Sequence, residues 1–279
     1  MRIRRITRNE FLRIVLVAAM SALLFLPQVT QAITITGTVR QITTSGGSQF
    51  DPSISGDIIV YTDLRSGNAD IFYYDLSLDE EFAVTNNTPT DEQLNDVSGD
   101  TIVYTRYHTL SGLGSVRAFV VGGADSPVAA DPAFDQSNPG ISGPIVAWED
   151  YRAGQADIWA MDLSTNEVKQ ITHTTVRESD PAVNAGRIAY QQVNTDGTCQ
   201  IFVTDFDTLV TDQITTQTGC HGNPDINGDT VVYDGIRSGE RDIFVYNLVT
   251  RNETRLALAG VQRNPNVSGD WVAFEDMST

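Results

Sequence analysis

Beyond the first thirty positions, the hydrophobic residues of this chain come in short runs and not in helical stripes. The runs are rich in Val, Ile, Tyr, Phe and Thr, and turns built from Gly, Asn and Asp separate them. Branched and aromatic residues favour strands, whereas Gly, Asn and Asp favour turns. No window after residue 32 sustains the apolar period of an amphipathic helix. The pattern predicts an all-β protein.

The runs recur with a nearly constant period. Six glycines at matching positions are separated by 43, 44, 43, 42 and 41 residues, and they are Gly56, Gly99, Gly143, Gly186, Gly228 and Gly269. Asp-Pro or Asn-Pro precedes five of them, and a β-rich segment ending in an aromatic residue follows each one. Units of about 40 residues with four short strands are typical of β-propellers. The sequence therefore predicts a propeller of about six four-stranded blades.

The two ends of the repeat array predict an unusual last blade. Residues 39–43 match residues 168–172, which close a repeat, and residues 265–276 match the first two strands of a repeat. The third strand of this blade is missing unless residues 33–36 supply it. We expect five complete blades and a sixth that is either incomplete, as in a fragment of a longer array, or closed by the N-terminal strand.

The first 32 residues have a different character. Five arginines precede an apolar run over residues 14–26, and small residues follow around Ala32. This is the layout of a secretory signal, and the run is short for a hydrocarbon core of about 30 Å. We predict that residues 1–32 are removed and that residues 33–279 are exported to the periplasm or cell surface, without a membrane span. An uncleaved anchor is the alternative.

The net charge of the chain narrows the classes of partner. The whole chain has 18 basic and 36 acidic residues, a net charge of −18. Removing residues 1–32 takes away five arginines and one glutamate, which leaves a net charge of −22 on 247 residues. Such a surface repels phosphate backbones and argues against nucleic acid as a partner. It favours basic protein surfaces or divalent cations.

Turns with the pattern Asp-x-Arg-x-Gly-x-x-Asp are the most conspicuous polar motif. Two copies are complete and a third is partial, and their residues are Asp63, Arg65, Gly67, Asp70, Asp150, Arg152, Gly154, Asp157, Arg237, Gly239 and Asp242. Because the motif recurs in several repeats, we interpret it as a structural turn whose charged groups pair between neighbouring blades. Calcium bound by the carboxylates is the weaker alternative. No other cofactor is predicted.

Few residues suggest catalysis or covalent links. His108, His173 and His221 have no metal-site spacing and are expected on the surface. The chain has no nucleophile-elbow motif, so no catalytic residue is predicted. Cys199 and Cys220 are the only cysteines, and an even pair in an exported protein predicts a disulfide.

The combined motifs resemble a known repeat. The Asx-Pro turn, the Ser-Gly-Asp hairpin, the Asp-x-Arg-x-Gly-x-x-Asp-Ile-Phe segment and the closing Ile-Thr are similar to the TolB-type, WD-like propeller repeat of exported and cell-surface proteins of bacteria and archaea. The resemblance covers residues 39–276. It implies a non-catalytic binding or scaffold module, monomeric, with envelope or surface proteins as partners. The alternative it implies is the propeller of a carbohydrate-active lyase or prolyl-oligopeptidase-like hydrolase, without the catalytic part.

Overall fold

The computed structural model describes residues 2–5, 40–86, 89–237, 239–256 and 258–277. Across these segments every regular element is a β-strand, and no helix is present that could cross a membrane. The predicted signal segment beyond residue 5, its predicted cleavage site and residues 33–39 lie outside the described residues.

Five four-stranded antiparallel sheets follow one another along the chain, each made of four consecutive strands. Blade 1 contains β2 (Gln49–Ser55), β3 (Ile58–Asp63), β4 (Asp70–Asp75) and β5 (Glu80–Ala83), and blade 2 contains β6 (Asp91–Ser98), β7 (Thr101–Tyr107), β8 (Gly114–Val120) and β9 (Asp125–Ala129). Blade 3 contains β10 (Gln136–Ser142), β11 (Ile145–Asp150), β12 (Asp157–Asp162) and β13 (Glu167–Gln170). Blade 4 contains β14 (Arg177–Asn184), β15 (Arg187–Val193), β16 (Cys199–Asp205) and β17 (Thr211–Gln213), and blade 5 contains β18 (His221–Asn227), β19 (Thr230–Ile236), β20 (Arg241–Asn247) and β21 (Glu253–Leu256).

The sixth sheet is different. It contains β22 (Gln262–Ser268) and β23 (Trp271–Asp276), and β1 (Arg2–Arg5) pairs with the outer edge of β23. The predicted propeller with five complete blades and an incomplete sixth is confirmed. Residues 40–43, predicted as the fourth strand of blade 6, form no strand. In the complete blades a fourth strand pairs with the preceding arm of its own hairpin, and no described hairpin leads into residues 40–43.

The first strand of each blade lines the centre of the ring, and each is bent by a bulge. The strand register shifts at the same point in all six blades. A residue with a left-handed backbone marks each bulge, and these residues are Asp51, Leu94, Asn138, Asp180, Asn223 and Asn264. Asp and Asn tolerate this conformation better than other side chains with a Cβ, which explains the repeated Asx-Pro pattern.

A tight hairpin joins the first and second strands of each blade. Its first turn residue has a left-handed backbone, with φ between 49° and 57°. In blade 4 this residue is Ala185 (φ 49°), because Asn184 pairs with Arg187 and leaves Ala185 and Gly186 as the turn. The predicted anchor at Gly186 is therefore off by one residue.

The hydrophobic core is divided among the junctions between blades. Five clusters of buried residues each join two consecutive blades, from blades 1 and 2 to blades 5 and 6. Between blades 1 and 2, for example, Ile71 and Tyr73 pack with Val97 and Tyr104. Burying each such side chain stabilises the fold by about 1.5–3 kcal/mol. Apolar packing between the facing surfaces of neighbouring blades therefore holds the ring together.

Candidate functional site

The central channel is the candidate site, because all six blades contribute to it. A cavity of about 420 Å³ lies at the level of the six bulges. A second cavity, of about 760 Å³, continues along the same strands towards the hairpins. The two share part of their lining, namely Pro52, Ser53, Asp96, Val183, Asp225 and Asn266.

The charged groups of the channel wall are all acidic. Asp51, Asp96 and Asp225 line the cavity at the bulges, and none of the described residues lining either cavity is Lys, Arg or His. Burial raises the pKa of all three carboxyl groups above the ordinary value. For Asp225, burial and the negative charge of Asp96 raise the pKa to about 6. The channel is therefore a negative, partly desolvated site.

Asp96 and Asp225 also stabilise the ring. They occupy the same position in blades 2 and 5, which are opposite each other in a ring of six. Asp96 accepts hydrogen bonds from Ser53 Oγ of blade 1 (2.7 Å) and from the amide of Ile141 in blade 3 (2.9 Å). Asp225 accepts one from the amide of Val267 in blade 6 (2.6 Å). Each carboxylate thus links its blade to a neighbour, besides carrying charge.

The Asp-x-Arg turns lie away from the channel lining and have a structural role. Arg65 pairs with Asp63 at 2.6 Å and with Glu81, and its guanidinium stacks 4.1 Å from the ring centre of Phe72. Burial raises the pKa of Asp63, but the hydrogen bonds from Arg65 outweigh it and hold the pKa below the ordinary value. Gly67 supplies the positive φ (97°) of the turn.

The same turn recurs in blade 3, where Arg152 pairs with Asp150 at 2.7 Å and stacks 4.1 Å from the Trp159 ring. Gly154 has a φ of 95°. The Asp–Arg pairs of both turns lie within one blade. The expectation that the arginines pair with a neighbouring blade is wrong, because each arginine folds back over the third strand of its own sheet.

Blade 5 replaces the aspartate of this turn by Gly235. A Cβ at this position would lie 2.6 Å from Cδ2 of His221, so glycine makes room for the imidazole. His221 Nδ1 donates to the Cys199 carbonyl (3.0 Å), which leaves Nε2 to accept a hydrogen bond from Arg237 Nε (3.0 Å). Burial lowers the pKa of His221, so the ring is neutral. The expectation of a surface histidine is wrong here.

The rest of the blade 5 motif keeps its structural character. Arg237 stacks 3.9 Å from the ring centre of Phe244, and Gly239 has a φ of 102°. Asp242 pairs with Arg255 at 2.7 Å. Asp70, Asp157 and Asp242 are the buried first or second residues of third strands. Within the described residues, no group of three or more His, Cys, Asp or Glu side chains is arranged to hold a metal ion.

The remaining residues singled out from the sequence are dispersed. Cys199 and Cys220 form a disulfide with an S–S distance of 2.11 Å, which joins the third strand of blade 4 to the start of blade 5. His108 and His173 are exposed in separate loops. None of the three histidines lines the described channel cavities.

A buried pair of carboxyl groups was missed at the sequence level. Asp157 of blade 3 and Glu178 of blade 4 are both buried and lie close together across the junction between the two blades. Burial raises the pKa of Glu178 to about 7, and the charge of Asp157 contributes. The signal available in the sequence was this register position, which holds glutamine in blades 1 and 3 (Gln49 and Gln136) but glutamate in blade 2 (Glu92) as in blade 4.

The comparisons with known proteins agree with this geometry. Neither a family model nor the sequence of a curated protein matches the chain. Several solved structures are similar to the chain. A candidate TolB from Agrobacterium tumefaciens has 16% sequence identity and a TM-score of 0.63, and the similarity covers 85% of this chain and 94% of that one. TolB from Acinetobacter baumannii has 15% identity and a TM-score of 0.57, over 82% and 58%. The chain has the fold of a TolB-like β-propeller.

The TolB-like fold also occurs in enzymes. An oligogalacturonate lyase from Vibrio parahaemolyticus has 10% identity and a TM-score of 0.59, over 76% of this chain and 65% of that one. The chain spans 58% of the Acinetobacter TolB and 65% of the lyase, so both proteins contain further regions. At these identities the likeness concerns the fold.

Proposed function

We propose that this TolB-like propeller is an exported, non-catalytic protein-binding module whose channel binds a basic segment of its partner. The observation that carries the proposal is the channel wall, which presents three carboxyl groups and no basic side chain among the described lining residues. A cleft lined by charge of one sign concentrates the field between its walls and attracts the opposite charge. The net charge of −22 expected after signal removal adds long-range attraction.

The raised pKa values give this proposal a pH dependence. A bound Lys or Arg side chain stabilises the charged form of each carboxyl group and offsets part of its desolvation. Asp225 has a pKa of about 6 in the free channel, so it is largely protonated below that pH. Binding of a basic segment is therefore expected to strengthen as the pH rises through 6.

A second candidate function is the propeller of a carbohydrate-active lyase or a peptidase. The similarity to the lyase fold supports it. An enzyme of either kind would need catalytic groups brought together by this chain or by another domain. The described histidines lie at three separate places, and this arrangement favours the binding module.

The test uses a fluorescent trilysine peptide and two variants of equal charge. Asp51→Asn removes one channel charge and keeps a side chain that tolerates the left-handed backbone. Asp207→Asn removes one exposed charge away from the channel cavities. We expect the channel variant to weaken binding about threefold, from about 0.7 kcal/mol for an exposed pair, and the control variant to leave it nearly unchanged. Equal losses in both variants would show nonspecific attraction and overturn the proposal.

A further inference from the structure

Blades 4 and 5 place exposed valines directly after their third strands. The turn at this point has the same form in blades 1, 3, 4 and 5, because the amide of its fourth residue donates to the carbonyl of the last strand residue at 2.8–2.9 Å. Val249 is the second residue after the strand in blade 5 and is 71% exposed, and Val210 is the fifth in blade 4 and is 64% exposed. The other three turns have polar residues here, namely Ser77, Ser164 and Asp207 at the second position and Glu80, Glu167 and Asn252 at the fifth.

The two valines line one cavity between blades 4 and 5, with a volume of about 400 Å³. Its apolar wall is completed by Leu248 and by Val203, which is buried. Leu248 also packs against the hydrophobic cluster that joins these two blades. An exposed apolar surface continuous with the core is typical of a binding site. We call this cavity the 4–5 groove.

The groove is open because Asp212 stands where blades 1 and 3 have a covering side chain. Asp212 lies opposite Val203, and at the same register position blade 1 has Phe82 and blade 3 has Lys169. Phe82 packs against the hydrophobic cluster between blades 1 and 2. The carboxylate of Asp212 is short and more than half exposed, and it pairs with Arg251 at 3.3 Å. It therefore leaves the apolar wall uncovered.

The junction between blades 3 and 4 shows which side chain covers such a wall. Lys169 donates from Nζ to the carbonyl of Phe206 (3.0 Å), and Nζ lies 4.4 Å from the centre of the Phe206 ring. Leu248 is equivalent to Phe206, because each follows a third strand and donates its amide to the hairpin of its own blade. A lysine in the 4–5 groove would place its aliphatic stem on Val203 and Val249 and its ammonium at the Leu248 carbonyl.

The charges of the groove favour a cation. Three carboxylates line it, those of Asp205, Asp212 and Asp229, together with one guanidinium, that of Arg187. Arg187 pairs with Asp229 at 2.8 Å. Hydrogen bonds from Thr208 hold the pKa of Asp205 below the ordinary value, so its carboxylate is charged at neutral pH. The lining therefore carries more negative than positive charge, beside an apolar wall.

The composition of the chain indicates where such a lysine comes from. Lys169 is the single lysine among the 279 residues, and it is already engaged at the junction between blades 3 and 4. A lysine in the 4–5 groove is therefore none of these residues. In a second copy of the chain, the same lysine is engaged in the same way.

We propose that the 4–5 groove binds a lysine side chain of a second protein. The stem covers Val203 and Val249, and the ammonium donates to the Leu248 carbonyl and lies beside the Asp212 carboxylate. This proposal rests on the protein-binding function above and gives the basic partner a second contact, outside the channel.

The experiment follows the backbone amide signals of the full chain by nuclear magnetic resonance during titration with Nα-acetyl-lysine amide. We expect the amides of Val210, Leu248 and Val249 to shift together and to saturate. Nα-acetyl-norleucine amide has the same four-carbon stem without the ammonium, so it should bind about tenfold more weakly. The amides of residues 94–96 report on the channel, which separates binding at the two sites.

A matched pair of variants locates the ligand. Asp212→Lys puts a lysine at the register position of Lys169, so it should fill the groove from within the chain, abolish the ligand-induced shifts and raise Tm by about 2 °C. Glu240→Lys makes the same change of charge at an exposed residue outside the groove, and should leave binding and Tm nearly unchanged. Asp212→Asn removes the carboxylate without filling the groove and should weaken binding about threefold.

Four results would overturn the groove proposal. They are no saturable shift at the groove amides, as when the chain itself occupies the groove; equal affinity for the norleucine derivative; retained lysine binding in Asp212→Lys; and groove shifts that follow protein concentration alone, as for a second copy. Failure at the groove with a retained difference between Asp51→Asn and Asp207→Asn in trilysine binding would leave the channel proposal intact. Groove binding without that difference would remove the channel alone.

Discussion

The junction between blades 4 and 5 and the junction between blades 6 and 1 place similar residues in opposite environments. Ile226 and Ile54 both follow the bulge of a first strand, and each lies three residues after the left-handed residue, which is Asn223 in blade 5 and Asp51 in blade 1. Ile226 is 3% exposed in a cluster with Ile201 and Val203, whereas Ile54 is 62% exposed. The difference shows that the repeat sequence alone does not bury a position. Burial requires the third strand of the preceding blade.

The largest effect is expected from truncating this pair of isoleucines. Ile226→Ala removes buried methyl groups and leaves a cavity between blades, so the free energy of unfolding should fall by about 2–4 kcal/mol. Ile54→Ala changes an exposed side chain and should cost less than about 0.5 kcal/mol. Urea unfolding followed by tyrosine and tryptophan fluorescence measures both. Similar losses in the two variants would mean that the sixth junction is packed in solution.

A smaller effect is expected from the polar residues at the junctions. Glu178, between blades 3 and 4, is buried beside Asp157, with Asp150 and His173 contributing charge nearby, whereas the open junction has the neutral Gln49 at the same register position. Because the pKa of Glu178 is raised to about 7, the folded state binds a proton that the unfolded state releases above about pH 4.5. Its contribution to stability is fully present below pH 4.5 and is lost as the pH rises through 7.

Glu178→Gln tests this contribution. The amide stays neutral, so we expect the variant to be more stable than the parent at pH 8, by about 2 kcal/mol, and to lose this advantage at pH 4.5. Thermal unfolding at the two pH values gives the difference. Glu240→Gln, at an exposed residue of blade 5, is the control and should show no such crossover. An unchanged pH profile in Glu178→Gln would place the titrating group elsewhere.

The comparison also separates what the sequence predicts from what it does not. The spacing of the glycines and the Asx-Pro turns predict the blades, because each reflects a local backbone requirement that recurs in every repeat. In the hairpin of blade 4 the spacing of the glycines places the turn one residue too late, since Ala185 adopts the left-handed conformation that glycine adopts in the other blades. Local pattern therefore predicts strands well and the identity of a turn residue less well.

Features that depend on contacts between strands or between blades are harder to predict. His221 is buried because Gly235, on the neighbouring strand, leaves space for its ring. Asp96 and Asp225 become a facing pair only when six blades close into a ring. The acidity of the chain was evident from composition, but the concentration of carboxyl groups in the channel follows from the ring geometry.

The smallest effect is expected from the cations that join a fourth strand to the next blade. Lys169 is 18% exposed, donates to the Phe206 carbonyl, and lies 4.4 Å from the Phe206 ring centre. Arg40, its counterpart at the open junction, is 51% exposed, and its partner Asp79 is 68% exposed. Lys169→Ala should therefore cost about 1 kcal/mol, and Arg40→Ala a few tenths, since exposed ion pairs contribute little. Urea unfolding at low salt and at 1 M salt distinguishes them, because only the contribution of Arg40 is strongly screened.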